Sequence, residues 1–234
     1  MPLTSTLDPS RSVLEQLREK VAAMERQPAR QPIATLPALA ELVPLYAGAA
    51  YSVDSAALGL ALAAGASQAG EWVGFAGCPD FGAEAAADLG VELSRTVLVP
   101  DPGEHWLEVT AALIDVLRVV VLRPPAARVD QKAAGILESR LRHRSSALIV
   151  WGEWPRCEAR LSMEESYWSG ADAGGGRLRE RRARVAVRRG ARPPVRADLW
   201  LPGLDVALAP VGEPSESGDS GEVLDLEVIR QATG

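Results

Sequence analysis

The sequence predicts an α/β protein: a mainly parallel sheet with flanking helices, an antiparallel C-terminal strand extension and an N-terminal helix. Three observations carry that prediction. Five short apolar runs alternate with helical patterns between residues 41 and 152, the rhythm of strands buried on both faces and joined by crossover helices. After residue 155 the rhythm changes to period-two alternation broken by a Gly-rich turn, the signature of antiparallel strands. Before residue 36 one amphipathic stretch stands alone, followed by prolines.

In chain order, residues 8–26 form the expected N-terminal helix. Asp8 with Pro9, or Ser12 with Glu15, can start it, and Leu14, Leu17, Val21 and Met24 share one face. That face either packs on its own domain or docks in a partner's groove. QPARQPIATLP (27–37) reads as a linker. The expected strands are LVPLY (42–46), EWVGFAG (71–77), TVLVP (96–100), LRVVVLR (117–123) and SALIVWG (146–152), with helices over 53–69, 81–90, 104–115 and 130–143. Between the first strand and its helix, residues 47–55 read as a Gly/Ala/Ser turn. CEARLSMEESYW (157–168) alternates, SGADAGGG (169–176) turns, and RARVAVRR (182–189) and RADLWL (196–201) complete the extension. Three segments result: 1–35 as helix and linker, 36–204 as the core, and 205–234 as an acidic, disordered tail with a short apolar end.

Composition excludes several classes. No apolar run is long enough to span a bilayer, and MPLTSTLDPSRSV lacks the basic-then-apolar order of a signal peptide, so a cytoplasmic protein without membrane partners is expected. Cys78 and Cys157 are too few for a disulfide framework or a cysteine-rich metal site. Nine arginines fall between Arg177 and Arg196, while Asp205 to Glu227 holds seven acids and no base. Arg177, Arg179, Arg181, Arg182, Arg184, Arg188 and Arg189 are therefore candidates for contact with DNA phosphates or an acidic partner. The alternative is a solvated edge whose charges deter aggregation, with the acidic tail as a competing intramolecular partner. Leu224, Leu226, Val228 and Ile229 form a second partner-binding candidate, while Val223, Leu226 and Ile229 stand at helical spacing. His143 in RLRHR reads as a surface residue and His105, after Glu104, as a helix-capping one. Trp151 and Trp154 in WGEWP flank a strand end; Trp72, Trp106, Trp168 and Trp200 read as core or rim residues.

The order of elements over residues 35–203 resembles the RecA fold, and within it the ImuA-type accessory proteins of the actinobacterial translesion mutasome. ELVPLY leads into the turn where RecA has its phosphate loop. DLGVELSRTVLVPDPGEHWLEVTAALID (88–115) is similar to RecA's helix end, strand, Pro-containing turn and long helix. LRVVVLRPP (117–125) sits at the Walker B strand, ALIVWGEWPR (147–156) at a later core strand, and RLSMEESYW with RARVAVRRGARPPVRADLWLPG at the strands that close RecA's core.

A RecA-type ATPase needs a phosphate-loop Lys and Ser/Thr, an Asp for Mg²⁺ and a carboxylate for the attacking water. Here the loop position offers Gly48, Ser52, Asp54 and Ser55 without Lys, and Asp54 adds negative charge where phosphate would sit. The Walker B strand ends in Leu122–Arg123, without Asp. Asp80 alone stands near the water-positioning place, and the sensor position falls on Gly152 or Glu153. The resemblance thus implies a RecA-fold protein that has lost catalysis and cofactors. It would be an adaptor in SOS mutagenesis and DNA repair, joining an ImuB-type Y-family polymerase homologue to an error-prone C-family DNA polymerase. DNA or RecA are further partners it implies, with recruitment to the nucleoid under DNA damage. A SulA-like division inhibitor and a diverged DNA-dependent ATPase are the alternative expectations.

Overall fold

A computed structural model describes residues 30–125, 129–172, 175–203 and 208–211. The chain divides between Gln31 and Pro32, a few residues before the expected boundary at 35. Leu14, Leu17 and Val21, and Leu224, Leu226, Val228 and Ile229, lie outside the described residues.

The parallel half follows from runs that are apolar at every position. β3 (Ala50–Val53), β4 (Val73–Ala76), β6 (Val119–Leu122) and β7 (Ala147–Trp151) are buried along almost their whole length. Their side chains alternate between two cores, as period-two geometry requires. Val119, Val121 and Ile149 face one core with Tyr51 and Val53; Val120, Leu122, Leu148 and Val150 face the other. The first core is covered by α2 (Ala56–Gln68) and by residues around α3 (Ala83–Asp88). The second is covered by α4 (Trp106–Val116) and α5 (Gln131–Arg144). Asp130 caps α5 by accepting from the Ala133 N–H at 2.6 Å. β5 (Thr96–Val99) forms the outer parallel strand beside β4.

Four strands extend the sheet: β8 (Ala159–Asp172), β9 (Gly175–Arg188), β10 (Val195–Trp200) and β11 (Ala209–Pro210). Among the described residues the spatial order is β11-β10-β9-β8-β3-β7-β6-β4-β5. Every pairing from β8 through β3 to β5 is parallel, and the pairings β8–β9, β9–β10 and β10–β11 are antiparallel. The expected Gly-rich turn at 169–176 is shorter than its composition suggested, because strand pairing continues to Asp172 and resumes at Gly175.

The structure corrects two expectations at the start of the core. LVPLY is not the central strand. Only β2 (Leu45–Tyr46) is extended there, and it pairs antiparallel with β1 (Pro32–Ile33) in a separate two-stranded sheet. Nor is the 27–37 stretch wholly a linker. Ile33 and Leu36 are buried, and Pro37 opens a short helix, α1 (Pro37–Ala40). These residues, with Leu39, Leu42, Val43 and Leu45, belong to the core that α2 covers.

Candidate functional site

In open parallel sheets ligands bind outside the carboxyl ends of the strands, so that edge is the place to look. The central strand is β3, and only Asp54 and Ser55 separate it from α2. This corrects the 47–55 turn. Gly48 lies before β3, at its amino end, where its N–H donates to the Ser146 carbonyl at 2.8 Å. Its φ of +81° suits glycine there. Ser52 is inside the strand, buried, and its hydroxyl donates to the Gly152 carbonyl at 2.5 Å. Only Asp54 and Ser55 reach the carboxyl end.

Both are occupied by the fold. Ser55 is the N-cap of α2 and accepts from the Leu58 N–H at 3.4 Å. The Asp54 carboxylate accepts from the Met163 N–H of β8, at 3.0 and 3.2 Å. Parallel pairing between β3 and β8 ends at Leu161, so Asp54 satisfies the next outward amide in place of a strand carbonyl.

The neighbouring strand ends are tied to one another. Arg123, after β6, donates from Nη1 to both carboxylate oxygens of Asp80, after β4, at 3.0 and 3.2 Å. The same guanidinium lies over the Trp151 ring at the end of β7, 4.3 Å from its centre. Arg160, at the start of β8, pairs with Glu153 after β7 at 2.8 Å. The residues expected at the metal, water and sensor positions are thus charges neutralised by neighbours on the same edge. Among the described residues no group of three His, Cys, Asp or Glu could hold a metal.

Burial pushes the Cys78 thiol up, only partly offset by Arg123, and burial likewise raises Cys157 against the pull of Arg160. The His105 side chain is exposed near Glu104, at 3.7 Å, and makes no capping hydrogen bond at the start of α4, contrary to the expected role. His143 is exposed in the last turn of α5, as expected. Trp154 is buried, while Trp72 and Trp168, expected in the core or at its rim, are half-exposed.

The arginine cluster is divided between two faces of the sheet. Arg182 and Arg184 both hold Asp198 of β10, Arg184 with two contacts at 2.9 and 3.2 Å. Arg184 also lies 3.5 Å from Glu165, and Arg196 grips Glu164 at 2.8 and 3.0 Å. Arg181 points to the other face, against Met163 and the Trp168 ring. Arg189 donates to the Leu42 carbonyl, and Arg188 adds, after Arg196 and Arg184, to the positive charge that favours the ionised form of Glu164. Arg177 and Arg179 are on β9, but their side chains lie outside the described residues. The sequence showed the bases but not their acids, because Glu164, Glu165 and Asp198 stand on other strands.

These pairs give the sheet a pH dependence. Hydrogen bonds from Arg184, then Arg182, hold the Asp198 carboxyl below its usual range. A lowered folded-state pKa adds stability above the unfolded value, about 3.9, that is lost as pH falls through the folded value. Urea midpoints measured from pH 7 down to pH 3 are therefore expected to fall less steeply below pH 4 for Asp198→Asn than for the parent chain. Identical acid limbs would contradict the pairing.

The fold and this edge can now be set beside known proteins. The family model described as the MT3502 N-terminal domain matches residues 26–156. The chain belongs to that family. The MT3502 match runs from before β1 to just short of β8, so it takes in the parallel half and Asp54, Asp80, Arg123 and Glu153, but not the antiparallel extension. An uncharacterized protein of Mycobacterium tuberculosis, Rv3395c, is 36% identical over 104 residues, which is 44% of this chain and 51% of that protein. The chain thus aligns with about half the length of its curated relative. No helix among the described residues is long and apolar enough to cross a membrane.

Proposed function

We propose that this MT3502-family chain is a non-catalytic adaptor of RecA-like architecture, of the ImuA type. It serves damage-induced translesion synthesis by bringing an ImuB-type Y-family polymerase homologue together with an error-prone C-family DNA polymerase. One observation supports the loss of catalysis above the others: the strand-to-helix connection at the centre of the sheet is two residues long, Asp54 and Ser55, and both are used internally. A phosphate loop needs a run of free backbone N–H groups and a Lys. The parallel half followed by strands that close the sheet in antiparallel fashion supports the RecA-like reading. The relative from an actinobacterium supports the ImuA-type one.

Two measurements test the reading. Mg-ATP at millimolar concentration is expected to leave the melting temperature unchanged. A ligand at a hundredfold excess over its Kd would add about 2.7 kcal/mol, a shift on the order of 5–10 °C for a chain of this size. Co-purification of the full-length chain with the two polymerases is expected to recover a ternary complex. A clear ATP shift would overturn the loss of catalysis, and a chain that captures neither polymerase would overturn the adaptor role. Filamentation on overexpression, with damage-induced mutation unchanged, would point to a division inhibitor instead.

A further inference from the structure

The apolar face of the antiparallel extension does not end inside the protein. On β8 and β9 it runs from Leu161 and Val187, both buried, through Met163 and Val185 to Trp168 and Arg181, which stand across from each other in the pairing register. Trp168 is 45% exposed. The half-buried Arg181 guanidinium lies over its ring, 5.4 Å from the centre. That guanidinium lacks a good acceptor in its own chain. Its Nε is buried without a hydrogen-bond partner, and its Nη2 meets the Met163 sulfur, a weak acceptor. No carboxylate among the described residues pairs with it, and burial holds it below its usual range with nothing to offset the effect. Neighbouring charges are engaged elsewhere. Arg182 and Arg184 hold Asp198, Arg196 holds Glu164, and the Asp54 carboxylate accepts from the Met163 N–H. A half-buried cation beside an exposed indole has the composition of an interface hot spot, completed when a partner supplies the missing acceptor.

We propose that Trp168 and Arg181 form a docking point for an acidic segment of a partner protein, which places an apolar side chain on the exposed indole and a carboxylate on the guanidinium. A carboxylate has two acceptor oxygens for the paired N–H groups of one guanidinium, and it brings to this corner the charge that the fold leaves out. Two features favour a protein segment, recognised through its side chains, over other ligands of the hairpin. Binding a phosphate backbone needs several free cations along one groove. Here Arg182, Arg184 and Arg196 are each held by a carboxylate, and the chain as a whole carries −6. Backbone addition to the outer edge of β8 needs a regular strand. β8 is irregular on both sides of Trp168, between Met163 and Glu165 and between Ser169 and Ala171, which blunts an edge. The docking point goes beyond the adaptor reading and is independent of which polymerases the chain joins.

Selection from a random peptide library displayed on phage, with the full-length chain as bait, tests this. The recovered peptides are expected to be enriched in Asp or Glu beside Leu, Phe or Trp. The strongest of them, labelled for fluorescence anisotropy, is expected to bind the parent chain and to lose at least about tenfold in affinity for two variants. One is Arg181→Met, which keeps an apolar stem over the ring, and the other is Trp168→Ala, which removes an exposed side chain. Arg182→Met, on the opposite face, is expected to bind like the parent. Peptides without acidic enrichment, no recovered peptide, binding unmoved by the first two variants, or an equal loss in Arg182→Met would each overturn the proposal. Oligothymidylate that binds more tightly than the peptide and is lost in the same two variants would overturn it too, by assigning the site to single-stranded nucleic acid.

Discussion

Gly77→Ala is expected to lower stability by about 2–5 kcal/mol, a drop in melting temperature on the order of 5–20 °C. Two costs add at this position. Gly77 has φ +74°, a conformation that side chains adopt only with strain, and an added Cβ would stand 2.1 Å from the Arg123 carbonyl oxygen. The oxygen is backbone and cannot swing aside. The ends of β4 and β6 approach closely because Arg123 donates its N–H to the Ala76 carbonyl at 2.9 Å and its guanidinium to Asp80. Separating them weakens both links and lifts Arg123 from Trp151. Gly103→Ala separates the two costs, since Gly103 has φ +54° with nothing within 4 Å of an added Cβ. It should lose only the conformational part, about 1–2 kcal/mol. If urea denaturation gives the two variants equal losses, the close approach of the strand ends is wrong.

The parallel strands were legible because strands buried on both faces must be apolar at every position, and few other structures leave that trace. β3 was missed for a physical reason. Its four residues include Tyr51 and Ser52, and the polar atoms of both are satisfied by groups outside the strand. The Tyr51 hydroxyl accepts from the Tyr46 N–H at 2.9 Å and Ser52 donates to Gly152. Beside it LVPLY is more apolar and so carries the stronger strand pattern. Leu42, Val43 and Leu45 are buried, but in the segment that lies with α2 rather than in the central sheet. That residues 47–55 hold no Lys and that the 117–122 run ends without Asp could be read from sequence alone, since absence needs no partner. What fills the carboxyl edge could not be read. Asp80 and Arg123 meet across 43 positions, and Asp54 and Met163 across 109; only the strand order brings them together.

The second large effect is expected at Gly65, where two tendencies oppose each other. Gly65 lies inside α2, and in an isolated helix alanine would be better than glycine by about 1 kcal/mol. Here an added Cβ would stand 2.5 Å from the Cα of Thr35 and 2.6 Å from the N of Leu36. Both are backbone atoms of the segment after β1, so relief requires moving the segment and exposing Ile33 and Leu36, which are 5% and 7% exposed. Uncovering one such side chain costs about 1.5–3 kcal/mol, so the clash outweighs the helical gain. Gly65→Ala is expected to destabilise by about 2–4 kcal/mol net. Gly59→Ala, in the same helix, would meet the Val121 Cγ1 at 3.4 Å, a side-chain contact that can adjust, and is expected to change stability little. The contrast reads the run of small residues in α2 as a seat for the chain that enters the core from Pro32. A Gly65→Ala variant more stable than the parent would show that this segment does not rest on α2. The helix would then be buried from the sheet side alone, leaving unexplained why it is apolar all round.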